Sequence, residues 1–496
     1  MESYILSIDQ GTTGTTVLII NHQGQIKARV SREITQYYPQ PGWVEHDPME
    51  IWELTLTLSR LAIVRANISA RQVKAVGITN QRETTVVWDK FSGLPVCNAI
   101  VWQCRRTAPL CEQMKAAGWN EIIETRTGLV IDAYFSATKL AWILENIPDA
   151  RKKATDGRLL FGTIDSWLLW KLSGGKIHIT DYSNASRTML YDIHKLDWDE
   201  DILNYLDIPR IILPSVHSCS EVYGASQADV FGEEIQLAGL AGDQQAALFG
   251  QNCFTPGSAK NTYGTGCFLL MNTGAQAVKS SHGLLTTIAW GINQEITYAL
   301  EGSVFMAGAA VQWLRDEMQL VTNAAESEEI ASSLANNAGV YMVPAFVGLG
   351  APYWDMYARG TLVGLSRGTG RRHVVRAVLE AIAYQSFDVL TAMMIDADIK
   401  LDALKVDGGA CSNNFLMQFQ ADMLGVRVER PVMTESTALG AAFLAGLAVD
   451  FWSDQQELQH IRQVERSFIP TMDPGQREEM LHGWKQAVSC ALHYRA

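Results

Sequence analysis

The sequence IDQGTTGTT, at residues 8–16, is the strongest single indication of how this chain folds. It begins in a short apolar run at 4–8 and leads into a second β-rich run at 16–20, and a third alternating run follows at 25–32. The pattern predicts strands joined by a Gly/Thr turn, whose backbone N–H groups and hydroxyls can hold phosphate oxygens. Asp9, at the end of the first strand, can hold Mg²⁺ through water. The chain has no G-x-x-x-x-G-K-[ST] segment, which disfavours a P-loop fold.

The same pattern recurs near the middle of the chain. An apolar run at 237–240 leads into Asp243 and a helix-like segment, and NTYGTG at 261–266 repeats the Gly/Thr turn. A third strand end, VDGGACSNN at 406–414, carries two glycines that permit close approach of a ligand to the backbone. An ordinary hairpin would explain one such turn, but the repetition predicts two related halves. We divide them at residue 250, into domains 1–250 and 251–496.

Three strand ends of this kind, in this order, resemble the two phosphate elements and the adenosine element of actin-like ATPases. The resemblance implies an α/β fold with two actin-like (ribonuclease H-like) domains and a nucleotide cleft between them. The residues expected to cradle phosphates are Thr12, Thr13 and Gly14 on the first turn, and Gly264, Thr265 and Gly266 on the second.

Four further segments resemble the FGGY carbohydrate kinases, and among them the members that phosphorylate glycerol. They are TNQRETTVVW (79–88), IVWQCRRT (100–107), YFSATKLAWIL (134–144) and GLGAPYWDMYARGTLVGLSRG (348–368). The likeness runs from about residue 4 to about residue 450. It implies ATP-dependent phosphorylation of glycerol to sn-glycerol 3-phosphate, with ATP and Mg²⁺ as cofactors.

Arg82 and Glu83 suit a small polyol, because arginine offers a planar fork of donors and glutamate accepts hydrogen bonds. Adjacent residues on a flat strand face opposite ways, so the chain must turn here if both are to reach one ligand. A solvated surface pair is the alternative interpretation. By resemblance, Tyr134, Asp243 and Gln244 also contact glycerol, and Trp102 and Phe268 form an apolar wall.

Asp243 is the expected general base, since phosphoryl transfer needs positioning, charge neutralisation and a proton acceptor on the attacking hydroxyl. The alternative role for this residue is a helix N-cap. Asp9 and Asp243 are the expected ligands of Mg²⁺, through water. By resemblance, Gly308, Gln312, Gly409 and Asn413 line the nucleotide site.

The sequence departs from the family at several positions. Thr16 stands where bacterial relatives end the first phosphate loop in arginine, Gly14 replaces a serine, and Ala133 replaces a proline. The stretch that corresponds to a fructose 1,6-bisphosphate loop, residues 227–234, contains three acids and no cation. Acids repel a bisphosphate, so we expect this inhibition to be absent. No histidine lies between residues 218 and 242, so activation by histidine phosphorylation is also expected to be absent.

Composition limits the remaining classes of function. The chain has 496 residues, 47% hydrophobic and 19% charged, with a formal net charge of −13 that disfavours nucleic-acid binding. No basic-then-apolar leader opens the sequence, and no run reaches the roughly 18 apolar residues of a membrane span. Eight scattered cysteines without a C-x-x-C pair indicate reduced thiols. We therefore expect a cytoplasmic protein without stable membrane insertion, and the resemblance suggests a homodimer or homotetramer.

Two alternatives remain at this point. One is a kinase on the same fold for another small polyol or ketose, such as dihydroxyacetone or a pentulose. The other is an actin-like ATPase chaperone, which leaves the Arg82 and Trp102 segments unexplained and has no separate peptide-binding domain after the two halves.

Overall fold

Two mixed β-sheets organise the computed structural model, which describes residues 2–494. The first sheet contains β1 (Tyr4–Gln10), β2 (Gly14–Asn21), β3 (Ile26–Glu33), β4 (Val73–Asn80), β5 (Val222–Ala225) and β6 (Gln236–Gly242), in the spatial order β5-β6-β4-β1-β2-β3. The second contains β7 (Ala259–Tyr263), β8 (Cys267–Gly274), β9 (Leu285–Ile292), β10 (Glu295–Val304), β11 (Ala403–Asp407), β12 (Arg427–Pro431) and β13 (Val464–Phe468), in the order β9-β10-β8-β7-β11-β12-β13.

The two sheets repeat one connectivity. In the first, β1 pairs antiparallel with β2 and parallel with β4, and β4 pairs parallel with β6. In the second, β7 pairs antiparallel with β8 and parallel with β11, and β11 pairs parallel with β12. Each Gly/Thr turn of the sequence therefore joins the first two strands of its own sheet, as the repeated motif predicts.

Six helices matter for the site and for the contact between the halves. They are α1 (Pro48–Arg65), α2 (Asp243–Gly250), α3 (Gly308–Asp316), α4 (Arg371–Ala397), α5 (Asn414–Leu424) and α6 (Ser436–Ala448). The other α-helices span Ala108–Ala116, Asn120–Thr127, Ser136–Asn146, Ala150–Thr155, Ile164–Leu172, Tyr182–Ala185, Glu200–Tyr205, Ala228–Phe231, Ala324–Ser332, Gln455–Ile461 and Pro474–His493. Two-stranded ladders join Glu45–His46 to Ala99–Ile100, Val86–Asp89 to Leu159–Gly162, Ile179–Asp181 to Ser215–His217, Tyr191–Asp192 to Asp197–Trp198, and Tyr341–Val343 to Thr361–Val363.

Local sequence explains where α1 begins. Asp47 precedes the helix, and its Oδ1 accepts a hydrogen bond from the Met49 amide at 2.8 Å, which satisfies one of the free N–H groups of the first turn. Pro48 opens the helix, where its missing N–H costs nothing. Ile51 and Leu58 belong to a buried stripe that packs α1 against the first sheet.

The long helix α4 is the core helix of the second half. By length and composition it would suffice to cross a membrane, but 72% of its most apolar window is buried inside the protein. It packs in the same apolar cluster as β8 and β10, together with α5. Its apolar character is therefore explained by burial in a protein core.

Helices α2 and α6 pack against each other between the two sheets. A Cβ on Gly440 would lie 1.8 Å from the carbonyl oxygen of Ala246, so the backbones approach at a distance that only glycine permits. Although α6 follows a strand of the second sheet, it lies on the first one, where the Ser7 hydroxyl donates to the Ala438 carbonyl at 2.6 Å. This exchange of helices fixes one half against the other.

Candidate active site

The predicted acids lie at the carboxyl ends of neighbouring parallel strands. Asp9 is near the end of β1 and pairs in register with Thr79 of β4, which in turn pairs with Ala241 of β6. Asp243 follows β6 directly as the first residue of α2. Burial, and then the charge of Asp243, raise the pKa of Asp9 to about 8. The two carboxyl groups therefore lie close enough for their charges to repel, and a cation that arrives with a nucleotide would favour the ionised form of both.

The alternative role of Asp243 as a helix N-cap is wrong. Gly242 occupies the cap position, with extended backbone, and Asp243 is already helical. Its Oδ1 accepts a hydrogen bond from the adjacent Gln244 amide at 2.7 Å, and the side chain keeps 26% of its surface exposed. The carboxylate is thus accessible from the cleft.

Arg82 and Glu83 lie in a turn directly after β4. Glu83 has a φ of 62°, and the Thr84 amide donates to the Arg82 carbonyl at 2.7 Å, so the chain bends here as the chemistry of a shared ligand requires. Only 2% of Arg82 and 1% of Glu83 are exposed. The interpretation as a solvated surface pair is therefore wrong.

The Arg82 guanidinium holds carboxylates from both halves of the chain. It forms a fork on Glu301 of β10, with Nη1–Oε2 at 2.5 Å and Nη2–Oε1 at 3.0 Å. Its Nε lies 3.2 Å from Oδ1 of Asp243, and Nη1 donates to Gln245 Oε1 at 3.2 Å. Arg82 thus fixes the position of the proposed base relative to the second sheet.

Arg187 and Glu301 complete this cluster, and neither was predicted from the sequence. Arg187 is fully buried, and its Nε donates to Glu83 Oε1 at 2.7 Å while Nη2 donates to Glu301 Oε1 at 3.1 Å. Burial alone would raise the pKa of Glu301, but Arg187 and Arg82 lower it to about 2. The pKa of Glu83 is raised, because burial outweighs the attraction of the same two arginines. Below we call Arg82, Glu83, Arg187 and Glu301 the buried charge cluster.

Aromatic rings border the cluster. Trp102 and Tyr134 meet edge to face with ring centres 5.4 Å apart, and the Arg187 guanidinium lies 5.7 Å from the Tyr134 ring. The Trp102 indole N–H donates to the Thr12 hydroxyl at 2.8 Å. The structure therefore brings the predicted apolar wall against the first phosphate turn.

Two buried lysines, Lys139 and Lys260, hold neighbouring parts of the site, and neither was predicted from the sequence. Lys139 Nζ donates to three consecutive carbonyls, those of Ala133, Tyr134 and Phe135, which fixes the Tyr134 loop. Lys260 Nζ donates to Gln244 Oε1 and to the Phe268 carbonyl, which links two predicted glycerol contacts. Burial lowers the pKa of each lysine to about 8.

Phe268 is half-buried on β8, and no aromatic pair joins it to Trp102 or Tyr134 within the described residues. Its position is set through Lys260 instead. The expected wall is therefore continuous only for Trp102 and Tyr134, and Phe268 stays a predicted contact.

A hydrogen bond between two glycines closes each Gly/Thr turn, and it encloses two residues in the first turn and one in the second. The Gly11 amide donates to the Gly14 carbonyl, and the Gly264 amide donates to the Gly266 carbonyl, both at 2.9 Å. A Cβ on Gly14 would lie 2.5 Å from the Arg32 carbonyl oxygen, so this structure leaves no room for a side chain there. Thr13 and Thr265 are exposed at the two turns. Both turns thus point donors towards solvent, where phosphates could bind.

The remaining predicted nucleotide residues lie around the second turn and the end of β11. Gly308 begins α3, and its amide donates to the Gly264 carbonyl at 3.0 Å, while Gln312 is exposed one helical turn later. Gly409 is exposed in the 3₁₀ turn after β11. Asn413 caps α5, where its Oδ1 accepts a hydrogen bond from the Leu416 amide at 2.9 Å.

A cavity of about 490 Å³ lies elsewhere between the halves. It is lined by the β2–β3 turn at 23–26, by residues 431–433 and by the end of α2. It contains none of the residues predicted to bind glycerol or nucleotide. The residues predicted to bind substrates therefore lie at the strand ends and not around this cavity.

Comparison with known proteins gives matches along nearly the whole chain. The N-terminal domain of the FGGY family of carbohydrate kinases matches residues 4–250, and the C-terminal domain of that family matches residues 259–449. A Thermotoga maritima protein named glycerol kinase 2 is 61% identical over 489 residues, covering 99% of each chain. A Caldanaerobacter subterraneus protein named glycerol kinase is 59% identical over 494 residues, covering 100% of this chain and 99% of the relative.

Solved structures agree with these sequence matches. The Plasmodium falciparum glycerol kinase with ADP superposes with a TM-score of 0.95 at 37% identity, covering 99% of both chains. A xylulose kinase from Lactobacillus acidophilus superposes with a TM-score of 0.89 at 21% identity, covering 98% of this chain and 97% of that one, which shows the shared fold alone. The predicted α/β fold of two actin-like domains is confirmed by these superpositions.

Proposed function

Because this chain belongs to the FGGY family of carbohydrate kinases, we propose that it transfers the γ-phosphoryl group of ATP to glycerol, forming sn-glycerol 3-phosphate and ADP. The observation that carries the choice of acceptor is the pairing of Arg82 and Glu83, buried side by side beside Asp243 at the strand ends. Full-length relatives named glycerol kinase support the same choice. The proposed division into domains 1–250 and 251–496 places this pair in the first domain.

The substrate would be held by complementary hydrogen bonds. Glu83 accepts from glycerol hydroxyls and Arg82 donates to them, while Trp102 and Tyr134 cover the carbon frame. Both charged residues are already fixed by the buried charge cluster, so little rotational freedom is lost when glycerol binds. Gln244 and Phe268 contribute further contacts, held together by Lys260.

Asp243 would act as the general base. A terminal hydroxyl oxygen of glycerol forms a bond to the γ-phosphorus, and the bond from that phosphorus to the β–γ bridging oxygen breaks. The hydroxyl proton passes to the Asp243 carboxylate, and ADP leaves with the bridging oxygen. Arg82 Nε, 3.2 Å from Oδ1 of Asp243, orients the carboxylate for this transfer.

The nucleotide phosphates would lie between the two Gly/Thr turns. Thr12, Thr13 and Gly14 face them from the first turn and Thr265 from the second, and Gly308, Gln312, Gly409 and Asn413 line the nucleoside side of the cleft. Both turns are closed between glycines and expose a threonine, Thr13 in the first and Thr265 in the second, which supports this arrangement.

The residues present fit a magnesium ion that enters with ATP. Magnesium sites in kinases use one or two carboxylates and the phosphates of the nucleotide, and Asp9 with Asp243 supplies those carboxylates. Within residues 2–494 no cluster of three acidic, histidine or cysteine side chains could hold a metal unaided, which agrees with a shared ligand set. When bound, magnesium supplies charge neutralisation on the phosphates. Asp9 and Asp243 would hold it through water.

Cellular context follows from the same proposal. We place the enzyme in the cytoplasm, as a homodimer or homotetramer, without nucleic-acid partners. The net charge of −13 supports the last point.

The decisive experiment measures ADP release with one acceptor at a time. Glycerol, dihydroxyacetone, xylulose, ribulose and gluconate are offered separately at equal concentration, and we expect glycerol to give the highest kcat/KM. Preference for a ketose would replace glycerol as the acceptor, and release driven by unfolded peptides would favour a chaperone.

Asp243→Asn tests the base directly. We expect nucleotide binding to persist, while kcat falls by about a hundredfold or more because proton transfer is lost. Turnover within about tenfold of wild type would remove Asp243 from this role.

A further inference from the structure

The first phosphate turn combines several acids with few available cations. Asp9 lies near the end of β1, and Asp243 follows β6 as the first residue of α2. Arg82 is committed to Glu301 and Asp243, and Lys260 donates to neighbouring oxygens. Magnesium would neutralise part of the charge of an entering triphosphate, and a cationic side chain that can leave its present partner would neutralise more.

The strand register shows that Arg29 is a cationic side chain on the same face of the sheet as Asp9. In one row across the sheet, Asp9 of β1 pairs with Thr16 of β2, and Thr16 pairs with Ser31 of β3. In the row two residues further from the turn, Ser7 pairs with Leu18, and Leu18 pairs with Arg29. Because directly opposed residues point to the same face of a sheet, Arg29 shares the face of Asp9. This is the face on which α6 packs, since the hydroxyl of Ser7 contacts Ala438.

The position nearer the turn carries no charge. Thr16 lies between Asp9 and Ser31 in the register, and its hydroxyl is 2.9 Å from the Ser31 hydroxyl. A threonine can offer one hydrogen bond here but cannot neutralise a phosphate. Arg29, two residues from Ser31 on the same strand face, is long enough to extend a charge towards this row.

Arg29 is held by a contact that a phosphate could replace. Its Nε lies 2.7 Å from Oε1 of Glu435, the residue before α6. The Arg29 side chain is 50% exposed and that of Glu435 31% exposed. An ion pair this exposed stabilises the protein little, so exchanging the carboxylate for a phosphate costs little.

We propose that Arg29 binds the γ-phosphate of the nucleotide, leaving Glu435 when ATP enters the cleft. The proposal rests on the ATP-dependent activity proposed above. Arg29 supplies from β3 the positive charge that Thr16 does not supply from β2.

The test compares dissociation constants of the β,γ-imido analogue of ATP and of ADP, measured by calorimetry without any acceptor. In Arg29→Gln we expect affinity for the analogue to fall by roughly tenfold to a hundredfold, the range for loss of a charged hydrogen bond. Affinity for ADP should change by less than about threefold, because ADP lacks the γ-phosphate. Equal losses for the two nucleotides would overturn the assignment.

Two control variants separate binding from structure. Arg32→Gln removes an exposed arginine from the same strand, three residues away and thus on the opposite face, and should bind both nucleotides as wild type does. Glu435→Gln breaks the same ion pair but frees Arg29, so it should bind the analogue at least as tightly as wild type. If Glu435→Gln weakens binding as much as Arg29→Gln does, the pair is structural and the proposal fails.

A second substitution should restore the affinity that Arg29→Gln loses. Adding Thr16→Arg to the Arg29→Gln variant should restore affinity for the analogue to within about threefold of wild type, since the same face regains a cation one strand closer to Asp9. No recovery in a folded double variant would count against a shared phosphate position. All four measurements omit the acceptor, so a wrong choice of acceptor would leave their outcome unchanged.

Discussion

Replacement of Glu301 by glutamine tests the buried charge cluster at its centre. Glu301 accepts three hydrogen bonds, two from Arg82 and one from Arg187, and its side chain is fully buried. Glutamine keeps the size of the side chain but removes the charge and turns one acceptor into a donor. The two buried guanidinium groups would then keep only the carboxylates of Glu83 and Asp243 as charged partners.

Two independent estimates give the cost. The pKa of Glu301 falls from 4.5 to about 2, which corresponds to roughly 3 kcal/mol of interaction in the folded state. Removing one partner of a buried ion pair typically costs about 3–5 kcal/mol. At roughly 2–3 °C per kcal/mol for a domain of about 250 residues, we expect the melting temperature to fall by roughly 6–15 °C.

The assay is thermal unfolding across a pH series, together with steady-state kinetics. The folded pKa of Glu301 is depressed, so its contribution is fully present above the unfolded value of 4.5 and is lost as the pH falls towards 2. The difference in melting temperature between wild type and Glu301→Gln should therefore stay constant from about pH 5 to pH 8 and shrink only below about pH 4.5. The KM for glycerol should rise, because Arg82 loses its anchor.

Glu295→Gln is the matched control, because Glu295 is exposed on the same strand, β10. Its melting temperature should lie within about 1 °C of wild type, as for most surface substitutions. If Glu301→Gln melts together with this control, the cluster does not stabilise the fold and the reasoning from its geometry is refuted.

Two further predictions concern specificity and regulation. Arg82→Lys keeps a positive charge in the cluster but loses the planar fork of donors. The KM for glycerol should therefore rise by about tenfold or more, while the KM for ATP should change by less than about threefold. Equal changes in both constants would contradict a role of Arg82 in acceptor binding. Fructose 1,6-bisphosphate at millimolar concentration should slow the enzyme by less than about twofold. The structure nevertheless brings two arginines to the acidic stretch, Arg60 from α1 and Arg71 from the 3₁₀ turn Ala70–Gln72. Those two arginines already bind the Asp229 carbonyl and the Glu233 carboxylate, respectively, and strong inhibition would show that they release these partners for the ligand.

The fold was largely predictable, because its signals are local and repeated. The turn at 11–14 joins β1 to β2, and the turn at 264–266 joins β7 to β8, each with the backbone geometry that glycine and threonine favour. A strand end that carries Asp or Gly-Gly before a helix is visible within ten residues of sequence. The crossing of α2 and α6 between the sheets was not predictable, since it depends on the approach of Gly440 to Ala246, which are almost two hundred residues apart.

The site was predictable only where a residue stands inside a recognisable segment. Arg82, Glu83 and Asp243 lie in such segments, but the charges that hold them do not. Glu301 is the one acid in the run 296–304 of β10, among mostly apolar neighbours, and that contrast was the available signal that it is buried and paired.

Arg187 had no such signal, because an isolated arginine in a polar segment most often faces solvent. Its role follows from distance alone, since its two carboxylate partners lie 104 and 114 residues away along the chain. A sequence pattern reveals a functional residue when its neighbours in the chain belong to the same site. A charged residue whose partners come from two different domains can be recognised only in the folded protein. For this reason the sequence predicts Arg82 and Glu83, whereas only the structure reveals that Arg187 and Glu301 hold them in place.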